Sequence, residues 1–274
     1  MTETPPRRQG KSGRWPGRLL PPLALLAGAV GVWQIVTVAR HVPDYLLPPP
    51  AEIWQSAVDQ HQLLWDNTLP TLRIALSGFL LALVLGLALA IAIRYSRALE
   101  LALYPIVIAT QTVPVIALAP ILVVLLGFGL MPKLIVVCLI CFFPITVNAV
   151  DGFKSVDPDL VNLMRTLGAG RGRIFRDIEW PSALPFIFSG ARVAITYCVI
   201  GALYGELVGS FEGLGWLMQQ EQSQFNTPLI FAAMAVLSLM GMGLFGLVAL
   251  AERLLLPWHR EPGGDALAGD AGRH

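Results

Sequence analysis

Residues 101–132 read LALYPIVIATQTVPVIALAPILVVLLGFGLMP, 32 positions without a single Lys, Arg, Asp, Glu or His. About 20 apolar residues suffice to cross a bilayer as a helix. This run therefore holds either one long span or two spans broken at Pro114 or Pro120. Read as one, it gives the chain six spans, at about 19–39, 71–94, 101–128, 133–150, 184–206 and 229–251. Both termini, the Arg94–Glu100 turn and the loop 151–183 then share one side, with 16 of the 19 Lys and Arg residues once Arg192 of the fifth span is assigned there. Only Arg40, Arg73 and Lys133 fall on or near the other. Positive charge is retained in the cytoplasm, which places the 16-residue side there. Read as two spans, the run would export the Arg-rich loop. The sequence predicts an all-α integral membrane protein with six transmembrane helices and cytoplasmic N- and C-termini. Residues 1–18 form a cytoplasmic segment, 19–256 the membrane domain and 257–274 a cytoplasmic tail.

Composition points the same way. Of 274 residues, 55% are hydrophobic and 14% charged, with a mean hydropathy of +0.66. Soluble domains carry about 25% charged residues, so disordered, ordinary soluble and disulfide-rich secreted proteins are excluded. The 19 cationic and 18 anionic side chains leave a net charge of +1, unlike the basic surface of a nucleic-acid binder. Cys138, Cys141 and Cys198 all lie in apolar runs. Cys138 and Cys141 have redox or metal spacing but no second pair and no nearby His, so they read as packing residues. The apolar stretch Leu19–Ala39 is long for a signal h-region and no Ala-x-Ala cleavage site follows it, so it reads as a retained first span. Gly10-Lys11-Ser12 lacks the upstream glycine of a phosphate-binding loop, where Pro5 stands. Segment 48–69 carries Ile53, Val58 and Leu63 in an amphipathic pattern and is expected to lie along the external membrane surface.

The loop 151–183 has internal structure. Asp157 caps a helix that starts at Pro158. Leu160, Leu163, Met164 and Leu167 follow at helical spacing, and Gly168 stops the helix at its C′ position. A second short helix, Arg171–Glu179, carries Ile174, Phe175 and Ile178 on one face and ends at Pro181. Two such helices offer apolar knobs flanked by Arg. The pattern alone leaves open whether they dock on a partner or lie on lipid headgroups.

Arg165-Thr-Leu-Gly168-Ala-Gly-Arg171, Ile174-Phe175-Arg176 and Ile178-Glu-Trp-Pro181-Ser-Ala-Leu-Pro185 resemble the cytoplasmic Glu-Ala-Ala loop of ABC importer permeases. Gly168, Ile178 and Pro181 match by position. Asn162-Leu163-Met164 stands where the family has Glu-Ala-Ala, and Trp180 where it has Leu. The resemblance covers residues 45–260. Leu47-Pro-Pro-Pro50, the 71–86 stretch, Gln111-Thr-Val-Pro114, Ala117-Leu-Ala-Pro120 and Gly127-Phe-Gly129 are similar to the nitrate, sulfonate and pyrimidine-precursor branch. Ser189-Gly190, Ile200-Gly-Ala-Leu-Tyr-Gly-Glu206-Leu-Val-Gly209, Gly213-Leu-Gly215 and the segment 252–258 look most like permeases for the pyrimidine precursor of thiamine.

The resemblance implies a type I ABC importer permease in a bacterial inner membrane, not catalytic by itself. It would dimerise around the pathway, on two ATP-binding subunits that carry ATP and Mg, beneath an extracytoplasmic substrate-binding protein. The chain itself would hold no cofactor. The ATPase-coupling loop would comprise Asn162, Leu163, Met164, Arg165, Leu167, Gly168, Ala169, Ile174, Phe175, Ile178 and Pro181. The implied solute is a hydroxymethylpyrimidine-type precursor, with sulfonate, taurine or nitrate as the alternative.

Polar groups inside the spans are candidates for the pathway. Glu206 is the one acidic residue in the fifth span. A charge at mid-bilayer costs about 2.5–3.5 kcal/mol on insertion scales, so Glu206 either faces a route, makes a structural hydrogen bond or sits at the rim. Gln111 and Thr112, beside Pro114, either bond between helices or line the route. An ion-coupled secondary transporter would show paired mid-membrane acids or His, and an intramembrane enzyme a His-Glu-x-x-His, Ser/His or Asp pair. Neither pattern occurs in the spans.

Overall fold

A computed structural model describes residues 16–258. The expected terminal segments, 1–18 and 257–274, lie largely outside the described residues. The chain runs through α1 (Pro16–Ala39), α2 (Pro50–Asp59), α3 (His61–Tyr95), α4 (Arg97–Thr110), α5 (Val115–Leu126) and α6 (Leu130–Lys154). It continues with α7 (Pro158–Thr166), α8 (Arg171–Ile174), a π-helical turn (Phe175–Glu179), α9 (Trp180–Gly209), α10 (Leu214–Ser223) and α11 (Thr227–Leu255). Among the described residues there is no strand. Among the described residues, four helical runs are long and apolar enough to cross a membrane: α3, α6, the 39-residue run from Arg171 to Gly209, and α11.

The apolar run at 101–132 is not one helix. It breaks between Thr110 and Val115, and α4 and α5 meet at a bend of 98°. Of its prolines, Pro105 and Pro120 stay inside helices. Pro114 takes an extended conformation (φ −71°, ψ 94°) as the N-cap of α5. Proline disfavours helical geometry in the residue before it, here Val113. The second loop helix also differs from expectation, because it does not end at Pro181. The Trp180 amide bonds back to the Phe175 carbonyl, five residues earlier. This π-turn carries the chain through Pro181 into α9. It re-spaces the backbone ladder where proline cannot donate to it.

The core is a three-helix stack in which α6 packs between α3 and α9. Small residues set the spacing. A Cβ on Gly78 of α3 would lie 2.5 Å from Val137 Cβ of α6, and one on Gly190 of α9 would lie 2.7 Å from the Pro144 carbonyl. Close backbone approach of this kind replaces hydrophobic drive when helices pack in lipid. All three cysteines are buried in this stack, and the Cys141 thiol donates to the Ala194 carbonyl at 3.2 Å. α2 lies across the far end of the bundle against α11, with Ile53 turned towards the core and Trp54 and Val58 exposed.

Candidate functional site

α7 is built as a rigid, outward-facing element. Asp157 Oδ1 accepts the Asp159 amide at 2.8 Å, and Pro158 occupies the first helical position. At the other end Gly168 adopts φ +81°. The Ala169 amide returns to the Met164 carbonyl at 2.9 Å and the Gly168 amide to that of Arg165 at 3.0 Å. That pair of bonds is the Schellman closure, which requires a left-handed residue where Gly168 stands. Between the caps, Leu160, Leu163 and Leu167 are 44%, 55% and 73% exposed. Only Val161 turns into the protein. Asn162 and Arg165 are exposed beside the leucines, and Met164 and Ala169 are half-buried. An amphipathic helix ordinarily hides its apolar stripe; this one presents it.

The remaining loop residues face the opposite way. Ile174 and Ile178 are buried and Phe175 is half-buried. The Phe175 ring packs on Tyr95, Phe153 and Trp180 at centroid distances of 5.7, 5.8 and 6.0 Å. Pro181 is half-buried one residue past Trp180. The loop thus divides into a displayed helix and a fixed base, instead of the two displayed helices that periodicity suggests. Sequence reasoning missed what clamps the base. Glu179 is buried and accepts from Arg94 Nη2 at 2.5 Å. Nearby, Glu100 bridges Lys154 at 2.8 Å and Arg97 at 2.9 Å, and the Lys154 ammonium sits 4.7 Å above the Tyr104 ring.

At the other end of the bundle, Glu206 is 1% exposed. Its Oε2 accepts the Gly215 amide at 2.8 Å. Asn67 Oδ1 accepts the Gly213 amide and Thr71 Oγ1 the Leu214 amide, both at 2.9 Å. Three side chains from α3 and α9 therefore satisfy the free N–H groups that open α10. Gly213, at φ +105°, lies so close that a Cβ there would fall 2.3 Å from Glu206 Oε1. The neighbouring cavity of about 530 Å³ is lined by Arg73, Lys133, Phe128 and Phe211 among others, but not by Glu206. Lys133 Nζ donates to Ser210 Oγ at 2.7 Å.

Gln111 and Thr112 sit in the α4–α5 break and are exposed. The Thr112 hydroxyl donates locally to the Ala109 carbonyl at 2.8 Å, so it does not bridge helices. Gln111 lines a cavity of about 280 Å³ with Thr110, Phe143 and Tyr197.

The chain that carries these features matches a known family along most of its length. Residues 61–260 match the binding-protein-dependent transport system inner membrane components. The chain belongs to that family.

Members of the family are permease components of ABC importers in the inner membrane, not catalysts by themselves, and they work with an ATP-hydrolysing subunit and a substrate-binding protein. Among curated relatives of this permease, the formylaminopyrimidine transport permease ThiX of Halalkalibacterium halodurans is 39% identical, over 84% of this chain and 92% of its own. The riboflavin transport system permease RibX of Chloroflexus aurantiacus is 38% identical, over 94% and 97%. The taurine transport system permease TauC of Escherichia coli is 28% identical, over 90% and 94%. In three dimensions the permease resembles a chain of the inward-facing MetNI methionine ABC transporter, with a TM-score of 0.62 and 21% identity, over 74% of this chain and 99% of that one. The fold is that of a type I ABC importer permease.

Proposed function

We propose that this permease carries a nitrogen heteroaromatic solute, of the aminopyrimidine type that feeds thiamine synthesis, through a homodimeric pathway. Six spans cross the membrane, with both termini cytoplasmic. α7 seats in a groove on each of two ATP-binding subunits, which supply ATP and Mg. The exposed apolar face of α7 is the observation that carries this reading. Leu160, Leu163 and Leu167 are held outward by a capped helix whose base is clamped into the bundle. Apolar docking resists both push and pull, so closure of the ATPase pair moves α9 through the unbroken Arg171–Gly209 run.

Relative identity supports the solute class. Relatives named for formylaminopyrimidine and riboflavin are 39% and 38% identical, against 30% and 28% for those named for aliphatic sulfonates and taurine. Uptake of isotope-labelled formylaminopyrimidine by cells expressing the whole importer is the test. ATP-dependent accumulation, outcompeted by unlabelled compound but not by taurine, is expected. Accumulation of taurine alone would contradict the solute class.

A further inference from the structure

The bend between α4 and α5 leaves a gap in the backbone ladder of a membrane protein. Residues 111–114 are all exposed, and α5 starts without a side-chain cap on its first amides. Lipid offers no hydrogen bonds, so non-helical backbone at membrane depth persists only where it is covered by protein or lines a water-filled cavity. Broken helices in other transporters place such gaps at the solute route. Here the gap opens onto the cavity of about 280 Å³ between α4–α5, α6 and α9.

The lining of that cavity is selective. It includes no Lys, Arg, His, Asp or Glu. Its aromatic residues are Phe143 from α6 and Tyr197 from α9, and its polar residues are Gln111, Thr110 and Tyr197. Thr110 already donates to the Val107 carbonyl at 2.6 Å. The Gln111 amide makes no hydrogen bond among the described residues and can offer both donor and acceptor. The nearest cation on α9 in the adjoining cavity, Arg192, is paired with Glu252 at 3.1 Å. An anion entering here would give up part of its water to apolar and aromatic walls with no positive partner among the lining residues in return. A flat, uncharged ring with nitrogen donors and acceptors on its edge would instead stack on aromatic faces and pair with the carboxamide.

We infer that the Gln111–Tyr197 cavity is a solute-contact station on the pathway, selecting planar, uncharged nitrogen heteroaromatics over anions such as sulfonates. This rests on, and deepens, the heteroaromatic reading of the function. The test uses membrane vesicles from cells expressing the whole importer with Gln111→Cys, or with Val84→Cys on the exposed face of α3, treated with a polar, membrane-impermeant thiol reagent. The three native cysteines are buried. Gln111→Cys should label and Val84→Cys should not, and formylaminopyrimidine, but not taurine, should slow the labelling of Gln111→Cys several-fold. Separately, Gln111→Leu should lower formylaminopyrimidine uptake roughly fivefold, about the value of one uncharged hydrogen bond. Failure of Gln111→Cys to label would overturn the water-filled route. Equal protection by taurine would overturn the selectivity while leaving the route. Uptake of taurine alone by the unsubstituted importer would instead overturn the functional reading, and is scored independently of labelling.

Discussion

Arg94, in the last turn of α3, donates from Nη2 to Oε1 of Glu179 at 2.5 Å and ties the π-turn below α9 to a helix 85 positions earlier in the chain. The two partners are unequally buried. The Glu179 side chain is 7% exposed and that of Arg94 35%. A carboxylate left alone in that place has no access to water, whereas a guanidinium left alone can turn outward.

Removing either partner should therefore cost different amounts. Arg94→Met strands a buried carboxylate and should lower stability by about 1–3 kcal/mol. Glu179→Gln keeps an acceptor for Arg94 and should cost less. Thermal unfolding of the two variants and their double in lipid nanodiscs measures the order. A larger loss for Glu179→Gln would show that the pair does not clamp the base as described.

Gly168 faces open space, with nothing within 4 Å of a Cβ built there, and φ at +81°. Strain at this position is purely backbone, about 1–2 kcal/mol for an L-residue in the left-handed region. Asn tolerates that region best among non-glycine residues, and β-branched residues worst. Recovery of the ATPase subunit with the permease should fall in the order Gly, Asn, Ala, Val. Equal recovery from all four would mean that the Schellman turn does not position α7.

Glu206 offers a clean separation of charge from geometry. As a cap on the Gly215 amide it needs an acceptor, not a charge. Glu206→Gln should retain transport, and Glu206→Ala should destabilise by about 0.5–2 kcal/mol, the range for a lost N-cap. Gly213→Ala should be worse tolerated still, because its Cβ collides with the Glu206 carboxylate. Loss of transport in Glu206→Gln with an unchanged melting temperature would assign the charge a direct part in the route.

Local signals were legible where local chemistry decides. Asp157 and Gly168 each mark a helix end through a bond within five residues, Pro158 does so through its fixed φ, and all three stand where the sequence puts them. The apolar stripe on α7 was visible too, as was the family loop that contains it. Prolines were harder to read. Pro70, Pro105, Pro120, Pro144 and Pro185 all stay inside helices, while Pro114 breaks one. Nothing in the residue type distinguishes Pro114 from the five prolines that stay helical, so the place of the break could not be chosen from the sequence. Pro181 reads as a stop, yet a π-turn absorbs it. The direction in which Ile174, Phe175 and Ile178 face depends on Tyr95, Phe153 and Arg94, partners brought together only by the packed bundle. Glu206, similarly, could be recognised as costly in lipid, but its three-residue cap on α10 draws on α3, well over a hundred positions away.

The displayed leucines of α7 can be changed without touching the core. Leu163→Asp and Leu167→Asp alter side chains that are 55% and 73% exposed. The most direct measurement is affinity purification of the importer from mild detergent, with each variant compared for recovery of the ATP-hydrolysing subunit and for permease melting temperature. The subunit should be lost, at least tenfold for the pair of substitutions, with the melting temperature of the permease unchanged. Full recovery of the subunit with both leucines replaced would contradict α7 as the docking surface.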